Sequence, residues 1–190
     1  MEIINQFINA INQIKTLEKE EEILFRESFN VISLKKNDYF LQSTEVCNRI
    51  GYLYKGLVRY YVFKNNEEST FEFTKEGEFV GDFESFICLK PSLQNIQALE
   101  DCVILTIDYQ SLQNLYQKSN SANFIGRIFI EQRFVTMVNQ LVTMNRFSPE
   151  EKYLYFLKNY KDIIQRVPQY LIASYVGIKP QSLSRIRKRI

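Results

Sequence analysis

Between residues 29 and 107 the sequence breaks into eight short segments rich in β-branched and aromatic residues, with little helical patterning between them, which leaves few architectures open. The segments fall at 29–34, 39–42, 49–54, 57–63, 70–74, 78–80, 96–99 and 102–107. Lys36-Asn37-Asp38, Gly56, Asn65-Asn66 and Glu76-Gly77 punctuate them as turns. Strands this short and this numerous predict a jelly-roll or β-roll sandwich, a form that commonly encloses a pocket. Tyr52, Tyr54, Tyr60 and Tyr61 lie inside the strand pattern and read as packing residues.

Helical patterning flanks the strands on both sides, so the fold class is α+β. Residues 2–28 carry Ile4, Phe7, Ile8, Ile11 and Ile14 at helical spacing, then the acidic residues Glu18, Glu20, Glu21 and Glu22, which read as a solvated helix face. Asp108 can cap a short helix bearing Leu112, Leu115 and Tyr116. After Ser119-Asn120-Ser121, a longer helix over about 121–145 carries Phe124, Ile128, Val135, Val138 and Val142 along one stripe. Ile125, Phe129, Phe134, Met137, Leu141 and Met144 widen that stripe beyond what one neighbour can cover. One side is therefore expected to pack on the β-rich part and the other to pair with a second copy in a parallel seam, giving a homodimer. Ser148, Pro149 and Glu151 then form a capping box with Pro at the first helical position. The expected organisation is a sensor-like domain over 1–145, including the dimerisation helix, and a second domain over 146–190.

That second domain ends in VPQYLIASYVGIKPQSLSRIRKRI, whose spacing is that of a helix-turn-helix. Two helices crossing steeply need a small residue at their contact and a positive φ at the turn; Ala173 and Gly177 supply them. Pro180 suits the first position of the second helix. At about 100° per residue, Leu183, Ile186 and Ile190 share one face, while Gln181, Arg185, Lys188 and Arg189 share the other. Arg pairs bidentately with guanine and Gln with adenine, and further cations sit over phosphates. Residues 166–190 hold six basic residues and no acidic one, leaving 18 basic against 22 acidic residues in the rest, a formal −4. Positive charge confined in this way is the footprint of a surface for double-stranded DNA. Lys179, Gln181, Ser182, Ser184, Arg185, Lys188 and Arg189 are the candidate contacts. Lys179 stands at the N-cap of the second helix, where Ser or Thr would contribute ~1 kcal/mol. Its charge opposes the helix dipole unless a phosphate lies nearby, so it reads as a backbone contact.

Composition removes other classes. With no histidine, imidazole-bound metals, histidine-ligated haem and catalytic histidine bases are excluded. Cys47, Cys88 and Cys102 form no CxxC pair and read as reduced, partly buried thiols. No Gly-rich phosphate loop or paired-carboxylate arrangement is present, so no catalytic residue, cofactor or metal is assigned and an enzyme is not expected. No apolar run approaches the ~18 residues of a membrane span, and the first residues alternate polar with apolar, so the expectation is a cytoplasmic protein without a membrane partner.

β-roll, long helix and C-terminal helix-turn-helix, in that order, resemble the Crp/Fnr superfamily of bacterial transcription regulators. Leu53-Tyr54-Lys55-Gly56-Leu57-Val58-Arg59 is similar to that family's β-roll turn, and Glu76-Gly77-Glu78-Phe79-Val80-Gly81-Asp82-Phe83 to the start of its phosphate-binding cassette. Ile172 to Ile178 with Ser182-Leu183-Ser184-Arg185 resembles its DNA reader. The resemblance implies a homodimeric, sequence-specific regulator on a near-palindromic operator. It also implies an effector pocket at Gly81, Asp82, Phe83, Ser92 and Leu93, and a contact with RNA polymerase if the protein activates.

Cyclic-nucleotide members of that family follow Gly-Glu-Leu with Arg-Ser-Ala, the Arg and Ser holding the cyclic phosphate. Here Asp82 stands for the Glu, and Ser92, Leu93 and Gln94 stand where Arg, Ser and Ala would be. No Arg or Lys lies between Lys90 and Lys118, so a buried phosphate would lack its cation. Cyclic AMP is therefore not the expected effector; the pocket either takes a less anionic small molecule or has closed around Phe83, Phe86 and Leu93. The segment 161–168 is too short for the family's wing hairpin, which is expected to be reduced. A second reading keeps the β-roll as a ligand sensor or protein-binding adaptor with a vestigial helix-turn-helix; it predicts no preference for specific over random DNA.

Overall fold

A computed structural model describes residues 2–189. All eight expected strands form: β1 (Asn30–Leu34), β2 (Tyr39–Leu41), β3 (Arg49–Lys55), β4 (Val58–Lys64), β5 (Glu67–Thr74), β6 (Phe79–Val80), β7 (Asn95–Ala98) and β8 (Cys102–Asp108). They build two four-stranded antiparallel sheets, ordered β1-β8-β3-β6 and β2-β7-β4-β5. The alternation of inward side chains closes Leu53, Val58, Tyr60, Ile96 and Ile104 between the sheets as the main core.

β5 begins earlier than its apolar pattern suggests, because Glu67, Glu68 and Ser69 pair with Lys64, Phe63 and Val62 through backbone alone. Asn65 and Asn66 close this hairpin with φ of 52° and 64°, the double positive φ that a tight two-residue turn of the right hand requires. β5 is also an edge strand of its sheet, a position that exposes backbone hydrogen-bonding groups unless something covers them.

The N-terminal helical stretch divides into α1 (Glu2–Ile14) and α2 (Lys19–Ser28), with Phe7, Ile8, Ile11 and Phe25 buried against the roll. Its acidic run is more than a solvated face. Glu21 accepts from the Ser119 hydroxyl at 2.6 Å and from the Ser121 N–H at 3.2 Å. It thereby seats the start of a later helix, where unpaired N–H groups favour a carboxylate. Burial alone would raise the Glu21 carboxyl, yet these bonds hold it at about 2.

The remaining helices are α3 (Phe83–Cys88), α4 (Tyr109–Lys118), α5 (Asn120–Arg146), α6 (Pro149–Asn159), α7 (Gln169–Val176) and α8 (Pro180–Arg187). Asp108 caps α4 and the Ser148–Glu151 box caps α6, as their side chains predict, and Ser119, read only as part of a polar break, caps α5. α3 escapes the sequence pattern: at six residues it is too short to show a helical period. Between α6 and α7 the chain makes hydrogen-bonded turns, with Arg166 N–H on Ile163 O at 2.8 Å, and no strand forms there.

A second core gathers Tyr153, Phe156, Ile163, Leu171, Ile172, Tyr175, Leu183 and Ile186 with three roll residues, Leu57, Phe73 and Leu99. Apolar packing thus crosses the boundary expected near residue 146, and the C-terminal helices share a core with the sandwich. No described helix is long and apolar enough to cross a membrane.

Candidate functional site

α7, the turn and α8 are built as their residue types require. Gly177 takes φ 82° and its N–H reaches Ala173 O and Ser174 O, both at 3.0 Å, ending α7. Ala173 is fully buried beside Leu183 and Ile186, so the two helices close on a methyl group. Lys179 is extended at the N-cap of α8 and its side chain makes no cap bond, and Pro180 follows at the first position.

The face turned to solvent carries Lys179, Gln181, Ser184 and Arg185, all exposed, with Ser182 half-buried beside them. Lys188 and Arg189 are exposed too, but α8 ends at Arg187 and they lie in the turn beyond it, so the helical face expected to include them is one turn shorter. Ile190 lies outside the described residues. Arg187 has a different role from its neighbours: its guanidinium donates to Gln169 Oε1 at 2.8 Å and braces α8 against α7.

On α5, Phe124, Val135, Val138 and Val142 are exposed and Ile128 is half-buried. Phe134 and Leu141 are more exposed still, at 66% and 65%. The opposite side of α5 is used inside the chain: Ile125 is buried, Phe129 packs on Phe79 with ring centres 4.6 Å apart, and Met144 joins the second core.

The candidate effector residues lie where β6 runs into α3. Gly81 donates its N–H to the Tyr60 hydroxyl at 3.0 Å, and a Cβ there would stand 2.8 Å from Ile50 Cγ2. Asp82 is buried and already engaged: it caps α3 through Ser85 N–H at 3.2 Å and accepts from the Ser92 hydroxyl at 2.7 Å. Outside them lies an open cleft of about 490 Å³ lined by Asp82, Glu84, Ser85, Lys90, Leu93 and Gln94. One alternative, closure of the pocket around Phe83, Phe86 and Leu93, is corrected here. Phe83 is 46% and Leu93 86% exposed, so neither fills the roll, while Phe86 is fully buried against Tyr109. Lys90, just outside the stretch noted as lacking cations, reaches the cleft wall. Cys88 is likewise exposed, whereas Cys47 and Cys102 are buried, and all three are free thiols.

Residues 31–119 match the family model of the cyclic nucleotide-binding domain. Solved structures extend the likeness to most of the chain. CLP, a c-di-GMP-responsive global regulator of Xanthomonas campestris, superposes with a TM-score of 0.71 at 17% identity over 90% of this chain and 91% of that one. FixK2 from Bradyrhizobium japonicum gives 0.70 at 14% identity over 85% and 83%. A Crp/Fnr-family transcriptional regulator from Eubacterium rectale gives 0.70 at 15% identity over 95% and 87%. This chain has the Crp/Fnr fold. Among curated proteins, none matches the sequence.

Within the Crp/Fnr fold, the contacts that the sequence reading missed converge on β5. Glu72 shares the inward face of Tyr60, is buried, and its carboxylate takes both terminal nitrogens of Arg133 from α5, one at 2.7 Å. That carboxylate also raises Arg133 above the ordinary guanidinium range. On the other face, Phe73 meets Phe156, Tyr160 and Tyr175 with ring centres 5.9, 6.4 and 5.9 Å away. Burial there pushes the Tyr160 phenol up to about 12. The Ser174 hydroxyl of α7 accepts from Thr70 N–H at 2.9 Å and donates to Glu68 O at 3.0 Å, covering the free edge of β5. Close by, Arg166 grips Glu76 and Glu100, each at 2.7 Å at closest, and Lys75 pairs with Asp162. An acid on an inward strand position and an arginine inside an apolar helical stripe were the available signals.

Proposed function

We propose that this protein is a homodimeric, sequence-specific DNA-binding transcription regulator of the Crp/Fnr type. The observation that carries this reading is the exposed set Lys179, Gln181, Ser184 and Arg185 on one face of α8, whose other face is anchored by buried Leu183 and Ile186. A helix supported from behind, with Arg and Gln outward and no acidic residue among them, has the chemistry to enter a major groove and pair with base edges. The exposed stripe on α5 supports the dimer, since a two-fold seam would bury it and present the reader twice. We assign the two domains to 1–145 and 146–190, with the second core as the joint between them.

The cleft fits a cyclic nucleotide poorly. Asp82 spends its oxygens on Ser85 and Ser92, Leu93 and Gln94 add no charge at the cassette, and exposed Lys90 shares the cleft with the Asp82 and Glu84 carboxylates. A desolvated phosphate would meet negative charge without a buried cation. Cyclic AMP is accordingly not the effector, and calorimetric titration is expected to show no binding tighter than roughly millimolar. A micromolar dissociation constant would overturn that part of the reading.

Selection of bound duplexes from a random pool at physiological salt tests the function as a whole. The expected product is an inverted repeat with half-sites about 34 Å apart, bound more weakly as salt rises. Recovery of unrelated sequences would instead favour the adaptor reading, in which the helix-turn-helix serves packing alone.

A further inference from the structure

β5 holds two separate parts of the molecule within six residues, by different means. From Glu131 to Asn139 every residue of α5 is exposed, apart from the reach of Arg133 back to buried Glu72. The middle of this helix is therefore tied to the roll through one charge-assisted, two-pronged contact. One residue further along β5, Phe73 enters the aromatic cluster of α6 and α7, and two residues before Glu72 the Thr70 N–H meets Ser174 of α7. Tyr60, the ladder partner of Glu72, takes the Gly81 N–H where β6 runs into α3. A shift of β5 at Glu72 therefore reaches α5, the base of α7 and the cassette together.

The energetics give this arrangement a direction. A carboxylate buried as deeply as Glu72 is costly without its cation, so the pair opens only when α5 and β5 part. The Ser174 stitch and the Phe73 cluster transmit that constraint because an edge strand has no second strand to absorb it. A reader attached to a loosely held strand would sample several orientations, and ordering it would have to come from a ligand.

We infer that Glu72 and Arg133 are positioning residues, a built-in clamp that fixes α7 and α8 relative to α5 through β5 and holds the reader in one orientation without a bound effector. The clamp's value to DNA binding rests on the function proposed above; its existence does not. Amide hydrogen exchange on the DNA-free, full-length protein tests it directly. Arg133→Met and Glu72→Gln are expected to speed exchange in β5 and α7 about tenfold or more. Arg133→Lys, which keeps one charged contact, should fall between these and the wild type. As a control for mere loss of stability, Ile11→Val in buried α1 should leave α7 unchanged relative to the rest of the chain. Acceleration confined to α5 and the surroundings of Glu72, or equal acceleration of α7 in Ile11→Val, would overturn the clamp.

Affinity of the wild type for its selected duplex, with no ligand added, separates the two proposals. Exchange coupling without DNA binding keeps the clamp and removes the regulator. DNA binding without exchange coupling keeps the regulator and removes the clamp.

Discussion

The base of the helix-turn-helix and the outward stripe of α5 are both written in aliphatic and aromatic residues, yet one is covered by its own chain and the other is left open. Leu171, Ile172, Tyr175, Leu183 and Ile186 meet Phe73, Leu57 and Leu99 of the roll. Phe134, Val135, Val138, Leu141 and Val142 stay exposed and join neither core. The difference lies in their neighbours. The covered face is fastened by several polar contacts of fixed geometry, Ser174 on β5 and Arg166 on Glu76 and Glu100, whereas the contact beside the open stripe, Arg133 on Glu72, ties α5 to the roll and leaves the stripe itself outward. An apolar helix face states that it must be buried; the directional contacts around it state against what.

The sharpest way to break this comparison is inside the covered face. Phe156 is fully buried among Phe73, Tyr160 and Tyr175, so Phe156→Ala should cost about 3–5 kcal/mol in urea unfolding. Because the roll contributes to that core, the roll and the C-terminal helices should still unfold in one transition. Two separate transitions would show that the shared core couples them weakly. On the open stripe the same kind of change should act only between copies. Leu141→Asp should leave single-chain stability nearly unchanged while weakening the dimer about a hundredfold by sedimentation equilibrium.

The polar fasteners predict a pH effect. Burial would raise the Glu76 carboxyl, but bonds from Arg166 and the Gly56 N–H hold it at about 2 against an ordinary 4.5. A lowered folded-state value means stability present above 4.5 and lost as pH falls toward 2. Wild type should therefore lose more stability over that window than Glu76→Gln, measured by urea midpoints at each pH. Parallel curves would remove Glu76 from the joint. The smallest expected effect belongs to the reader, where Arg185→Ala should relax preference at one base position by about 1–3 kcal/mol, with little change in stability.

Much of this architecture was legible because local chemistry dictates it. Gly56, Asn65-Asn66 and Gly77 set positive φ at the turns between strands, Asp108 and Ser148 cap helices, and Ala173, Gly177 and Pro180 fix the helix-turn-helix without tertiary context. What was hidden depends on partners far along the chain. Glu72 and Arg133 are 61 residues apart, and Arg166 is 90 from Glu76, so their charges are visible but their pairing is not. Phe83 and Leu93 misled for the converse reason: an apolar residue on a short helix such as α3 or in the loop after it can face solvent as readily as the interior. The polar start of β5 showed no alternation because its pairing is carried by backbone hydrogen bonds.

The claim on which the rest depends is that a second copy covers the α5 stripe and so presents the reader twice. A parallel two-fold seam brings Val138 of one copy against Val138 of the other. In a Cys88→Ser/Val138→Cys variant, with Cys47 and Cys102 buried, mild oxidation should yield a covalent dimer that still binds the selected inverted repeat. A chain that stays uncrosslinked and elutes as a monomer, or a crosslinked dimer that no longer distinguishes the repeat from random duplex, would contradict it.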